Sequence, residues 1–182
     1  MSVASRRGTR LDLRRGGAVG TAVGQIAKIR GARAVGIAGG HEKCRMLVDD
    51  LGFDAALDYR GDDLRGKLRE HTPDYVDVFF DNVGGGILNE GLVRLARGAR
   101  VVICGAVSQY GQVGGFVGPS NCLALLISRG SMTGFIAFDY ADRYPEALTE
   151  LSSWLAAGEL RSVDDGRGWF RTSDFSRVKR RS

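Results

Sequence analysis

Residues that usually announce a chemistry are scarce in this chain. Among 182 residues there are three cysteines and two histidines. Cys44, Cys104 and Cys122 lie far apart, and no two have the spacing of zinc ligands. Their odd number fits reduced thiols in a cytoplasm rather than a disulfide scaffold, and they read as small buried hydrophobes. His41 and His71 fall on separate helical segments, so neither a metal cluster nor a nucleophile–base pair emerges; both read as surface residues. No uninterrupted apolar run reaches the roughly 20 residues that span a bilayer, and the N-terminus lacks the apolar core of a secretory leader. A soluble cytoplasmic protein is the expectation.

Length and composition are those of one globular domain large enough to bury a proper core. The formal net charge of +5 raises the question of nucleic acid, and its distribution answers it. Residues 1–16 carry five arginines against one aspartate; residues 167–182 carry six basic residues against one aspartate. The body between them is mildly acidic. A nucleic-acid-binding domain usually shows a basic face on its folded elements, so the charge argues for two solvated ends and against such a partner.

What the chain does have is a glycine turn opening an amphipathic helix, Gly17-Ala18-Val19-Gly20 running into Gln25-Ile26-Ala27-Lys28-Ile29. Val19, Val23, Ile26 and Ala27 make one apolar stripe. Gly17 and Gly20 have the spacing of the second and third glycines of a dinucleotide fingerprint, in which backbone approaches a pyrophosphate at a helix N-terminus. Arg15 stands where the first glycine belongs. Tight helix packing on small residues gives the same pattern.

A strand–helix rhythm follows. Strands are expected at 33–38, 55–59, 75–80, 101–104 and 132–138, and helices at 41–51, 62–70, 87–95, 121–128 and 144–157. The last helix should bury Ala147, Leu148, Leu151, Trp154 and Leu155. Such alternation gives an α/β fold, a doubly wound parallel sheet. Leu11-Asp12-Leu13 is the only candidate for the strand that must precede the glycine turn, and it is short and charged. Residues 1–16 otherwise read as a basic irregular segment, 17–160 as the α/β domain, and 161–182 as a basic, disordered or weakly docked tail.

Six stretches occur in an order that marks a family: Gly17-Ala18-Val19-Gly20, Gln25-Ile26-Ala27-Lys28, Glu42-Lys43, Leu51-Gly52-Phe53-Asp54, Phe80-Asp81-Asn82-Val83-Gly84-Gly85 and Cys104-Gly105-Ala106-Val107-Ser108-Gln109-Tyr110. Together they resemble the Rossmann cofactor domain of the zinc-independent, NADPH-dependent double-bond reductases, the alkenal and prostaglandin reductases of the medium-chain dehydrogenase/reductase superfamily. Family members carry a GroES-like substrate domain before this region and further cofactor-domain elements after it. Neither is in the sequence, so the reading is of a truncated unit whose basic ends resemble out-of-frame translation or a degenerate copy.

The resemblance implies NADP(H) as cofactor and hydride transfer to the C=C bond of an enal or enone. NAD sites usually place a carboxylate on the ribose about twenty residues past the glycine turn. Here Ala38-Gly39-Gly40 offers none, and Lys43 could pair with a 2′-phosphate. Tyr59 is implied beside the adenosine phosphate and Asn82 against the cofactor. Cys104, Gly105, Ala106, Val107 and Ser108 are implied along the nicotinamide half, with Phe135, Ile136 and Ala137 on its far side. Tyr110 matches the active-site tyrosine, protonated at neutral pH and able to donate to a developing enolate. Each has a plainer alternative: a solvated helix lysine, strand packing, a turn asparagine, an exposed loop tyrosine. The edge strand near Phe135 is implied as a surface joining two subunits in a homodimer. The alternative function is a catalytically inactive NADPH-binding or interaction module.

Overall fold

The computed structural model describes residues 9–13, 18–61, 63–110 and 117–162. Within them six strands form one parallel sheet: β1 (Thr9–Leu13), β2 (Arg33–Ala38), β3 (Ala55–Asp58), β4 (Val76–Asp81), β5 (Leu95–Ile103) and β6 (Ser131–Gly134). Their order across the sheet is β3-β2-β1-β4-β5-β6. The order reverses between β1 and β4, which is the doubly wound arrangement.

The weakest strand of the sequence sits at the centre. Leu11 lies opposite Val35 on one side and Phe79 on the other, and Asp12 lies between Gly36 and Phe80. A central position gives the segment two ladders of backbone hydrogen bonds, and pairing of that kind overrides poor strand propensity. Within the segment expected to be irregular, Thr9–Leu13 is instead a strand of the sheet; the rest of residues 1–16 lies outside the described residues.

Strand β2 shows why both faces must be covered. Successive side chains of a strand point to opposite faces. Val35 and Ile37 join a core with Leu57, Leu68, Phe79, Leu88, Leu92 and Val101. Ala34 and Ala38 join a second with Cys44, Leu47, Leu51 and Phe53. Helices α3 (Leu64–His71) and α4 (Gly85–Leu92) supply the first core, while α2 (His41–Arg45) and the π turn Met46–Asp50 that continues it supply the second. The continuous helix expected over 41–51 widens into that π turn, which leaves Val48 exposed while Cys44, Leu47 and Leu51 stay buried.

Helix α1 (Ala18–Ile29) buries a face rotated from its apolar stripe and shares only Ala27 with it. Gly20, Thr21, Gly24, Gln25 and Ala27 are buried, and Val19 is 44% exposed. Close approach decides this. A β-carbon at Gly24 would stand 1.9 Å from Phe53 Cζ, so the small-residue face, not the bulky one, lies on the second core. The C-terminal helix α6 (Tyr144–Ala156) lies beside α1, where Arg30 bonds Glu150 at 2.5 Å and covers the Trp154 ring at 5.3 Å. No α6 side chain is fully buried; Leu148, Leu151, Trp154 and Leu155 are half-covered and Ala147 is exposed, less than the sequence pattern implies.

Beyond α6 the Gln25 carboxamide donates to Arg161 O at 3.1 Å and accepts from Arg161 N at 2.8 Å. That pins the first residue of the segment expected to be loose. Expected element ends shift elsewhere by a few residues. The strand expected over 132–138 stops at Gly134, and a 3₁₀ segment, Ala137–Arg143, follows. Helix α5 (Leu123–Ser128) completes the set.

Candidate functional site

Open parallel sheets present ligand sites outside the carboxyl ends of their strands, at the point where strand order reverses. On one side of that point the ends of β4 and β5 are joined by backbone. Cys104 N donates to Asp81 O at 2.7 Å, Val107 N to Asn82 O at 3.2 Å and Ser108 N to Val83 O at 3.1 Å. Ser108 Oγ adds a bond to Val83 O at 2.6 Å. A β-carbon at Gly105 would stand 2.4 Å from Asn82 Oδ1, so glycine at that place lets the Asn82 carboxamide keep its position against the Cys104–Ser108 segment.

Asp81 holds the turn from within. Its side chain is fully buried and accepts from Val83 N at 2.9 Å and from Gly84 N at 3.0 Å. Burial pushes its carboxyl above the usual range, against the pull of those two N–H groups. The turn then passes through Gly84 (φ 70, ψ −162) and Gly85 (φ 62) into α4, a path that side chains with a β-carbon rarely follow.

On the other side of the reversal point lie the ends of β2 and β3. Asp58 Oδ1 accepts from Gly40 N and from Arg60 N, each at 2.9 Å, tying the two strand ends together. Those bonds hold the Asp58 carboxyl below its usual range. Gly39 is buried with the Tyr59 ring beside it: a β-carbon there would be 2.8 Å from Tyr59 Cε1. Lys43 is exposed on α2, immediately beyond this turn.

Between the two sides opens a cleft of about 360 Å³, lined by Tyr59, Leu64, Val83, Gly84, Ile87 and Ser108 among others. That size falls within the range of small-molecule sites. Its outer wall carries Glu90, which Arg65 grips in a two-pronged ion pair at 2.8 and 3.1 Å.

Tyr110 is 61% exposed and its hydroxyl accepts from Ala106 N at 3.5 Å, so the phenol folds back over the Cys104–Ser108 segment. Its neighbour Gln109 is buried and clamps Val117, donating to its C=O at 3.0 Å and accepting from its N–H at 2.7 Å. Phe135 N donates to Ile103 O at 2.9 Å, and the Phe135 ring tilts against Tyr140 with centroids 5.2 Å apart. Ile136 is 61% exposed, and Ala137 O accepts from Tyr144 Oη at 3.1 Å.

The structure therefore gathers Tyr59, Asn82, Cys104–Ser108 and Tyr110 along one end of the sheet, with Lys43 at its rim. Val19 is exposed and Gly20 buried at the start of α1, while Gly17 lies outside the described residues. The expectation of three buried cysteines is corrected: Cys44 is buried, Cys104 half-buried and Cys122 exposed. Burial raises the Cys104 thiol, which keeps it protonated and weakly nucleophilic. His71 is half-buried, where a surface position was expected, and its C=O accepts from Arg33. Sequence reasoning missed Asp58, Arg60, Asp81 and Gln109. Asp81 had a usable signal, an acid closing an apolar strand and followed by Val-Gly-Gly, the setting of a side chain that bonds its own turn. Gln109 had none.

Comparison with known proteins agrees with this geometry. A family model described as zinc-binding dehydrogenase matches residues 18–153. Among the described residues, no group of three His, Cys, Asp or Glu side chains could hold a metal ion. The NADP(+)-dependent 2-alkenal reductase of Nicotiana tabacum is 39% identical over 150 residues, 82% of this chain and 43% of that protein. The NADPH-dependent curcumin reductase of Escherichia coli (strain K12) is 40% identical over 158 residues, 82% of this chain and 46% of that protein. The crystal structure of CurA from Vibrio vulnificus in complex with NADPH superposes with a TM-score of 0.79 at 39% identity, covering 86% of this chain and 48% of that one. The chain thus spans less than half the length of these relatives. With residues 18–153 matched by the family model, the chain belongs to the zinc-binding dehydrogenase family.

Proposed function

We propose that the chain is the NADP(H)-binding unit of an oxidoreductase that reduces the C=C bond of an α,β-unsaturated aldehyde or ketone. The observation that carries this reading is the seam between β4 and β5, which sets Asn82, the Cys104–Ser108 segment and Tyr110 beside the point of strand reversal. The 2-alkenal and curcumin reductases, both named for NADP(H) dependence, support the same reading.

The residues present fit such a cofactor. Glycines 84, 85 and 105 keep β-carbons out of the crowded seam, where one at Gly85 would stand 3.2 Å from Ser108 Oγ. The cleft beside Tyr59, Val83 and Ile87 has room for a nucleoside, and Lys43, exposed on α2 just past Gly40, would pair with the 2′-phosphate. Ala38-Gly39-Gly40 places no carboxylate on the ribose, and the nearby Asp58 carboxylate is occupied by two backbone N–H groups.

A bound NADPH would supply the hydride for the substrate β-carbon. The chain's own part is to orient and to handle the proton. Asn82 and Cys104–Ser108 would hold the nicotinamide half, and Phe135, Ile136 and Ala137 would contact the same half. Tyr110 Oη would donate to the carbonyl oxygen as the C=C pair moves to the Cα–C bond and the C=O pair onto oxygen, and a proton taken from water at the α-carbon completes the saturated product. The outer edge of β6, with Ile136 and Phe138 exposed beyond it, is the surface on which two copies would pair.

Turnover of a short 2-alkenal, followed by loss of NADPH absorbance, tests the proposal. Tyr110→Phe should lower kcat by about 10²-fold or more and leave NADPH affinity unchanged. NADPH binding without turnover in the wild-type chain would instead favour a binding module, a reading suggested by the chain's span of under half of each relative.

A further inference from the structure

We infer that Arg60 is a second cation for the 2′-phosphate, acting with Lys43 to set preference for NADP(H) over NAD(H). The inference rests on the NADP(H) reading above.

Three observations place Arg60 there. Gly39 has no β-carbon, and the space one would take is bordered by Tyr59 Oη at 2.9 Å and Arg60 Nε at 3.0 Å. The Arg60 side chain thus folds back over the end of β2, with its guanidinium carbon 5.9 Å from the Tyr59 ring centroid. Its backbone N–H shares Asp58 Oδ1 with Gly40 N–H, so the turn after β3 is fastened to the turn after β2. Cys44 N donates to Gly40 O at 3.2 Å, which closes the first turn of α2 and fixes Lys43 next to the same corner.

Charge favours a further cation. A phosphomonoester carries about −1.5 to −2 at neutral pH. The charged groups at these two turns are Lys43, Arg60 and Lys67, whose Nζ would lie 3.4 Å from a β-carbon at Gly61, against Glu42 and Asp58, with His41 beside them. Without Arg60 the two acids offset Lys43 and Lys67. With Arg60 the corner carries an excess positive charge, and Asp58 is held by backbone. Arg60 also offers what Lys43 cannot, a planar fork that grips two phosphate oxygens at once.

Calorimetric titration of NADPH, NADH, 2′,5′-ADP and 5′-AMP into the wild-type chain, Arg60→Gln and Arg60→Lys tests this. Arg60 is exposed, so its loss should leave the thermal melt in place. The expected result is a ten- to hundred-fold weaker affinity of Arg60→Gln for NADPH and 2′,5′-ADP, about the worth of a hydrogen bond between charged groups. NADH and 5′-AMP should bind as before, and Arg60→Lys should recover part of the loss. A wild-type chain that prefers NADPH, with a preference unchanged in Arg60→Gln, would overturn the role of Arg60 alone. Equal weakening of NADPH and NADH would also overturn it. A wild-type chain that binds neither nucleotide would overturn the NADP(H) reading, and this inference with it.

Discussion

Asp81 and Asp54 show two opposite uses of a carboxylate. Asp81 spends its charge on two buried N–H groups at the mouth of the site, and Asp81→Ala would strand both. Urea denaturation of that variant should show a loss of about 1–3 kcal/mol. Because burial raises the Asp81 carboxyl in the folded chain, the proton-linked part of its contribution, separate from those two bonds, is fully present below the unfolded value of about 3.9 and is lost as pH rises through the folded one. Asp54 runs the other way. Burial works to raise it, but bonds from Lys28 Nζ and Ala34 N, both 2.7 Å, and the Lys28 and Arg33 charges together hold it low. Its stabilisation is present above about pH 3.9 and is lost as pH falls through the folded value. Asp54→Asn should therefore be less stable than wild type at pH 7, with the gap narrowing below about pH 4 in paired denaturation curves. The positions of Asn82 and Tyr110 just past strand ends were legible in the sequence because they sit in stretches that follow strong apolar strands. Asp58 and Arg60 were not, since their role depends on a bond to Gly40, eighteen residues away from Asp58, that only the β2–β3 pairing creates.

Elements here meet through glycine, which is why apolar periodicity gave helix positions more faithfully than helix faces. The α1 stripe of Val19, Val23, Ile26 and Ala27 marks a helix, yet the side pressed on the core is the one with Gly20 and Gly24. Patterns report which residues are apolar; they do not report that Phe53 fills the space over Gly24. The same packing recurs in α4. A β-carbon at Gly91 would lie 2.1 Å from Cζ of the fully buried Phe79, whereas one at Gly86 would meet nothing within 4 Å. Gly91→Ala should lose about 1 kcal/mol or more, the overpacking cost exceeding the gain in helix propensity. Gly86→Ala should gain up to about 1 kcal/mol. Parallel thermal melts of the two variants decide the point, and equal shifts would contradict this account of the α4 contact.

Across the whole molecule, the alternation of strands and helices was enough to read a doubly wound sheet, and the order β3-β2-β1-β4-β5-β6 agrees with it. The least legible part was the centre. Thr9–Leu13 has little strand character of its own and is defined by the two partners that flank it. Since the proposed site straddles that strand, cofactor binding and integrity of the sheet's centre should stand or fall together. The most direct measurement is a thermal melt of the chain titrated with NADPH and, in parallel, NADH. The account predicts a cooperative melt raised by NADPH, by the equivalent of about 2.7 kcal/mol at a hundredfold excess over Kd, and raised little by NADH. A cooperative melt that neither nucleotide moves, or that both move equally, would contradict it.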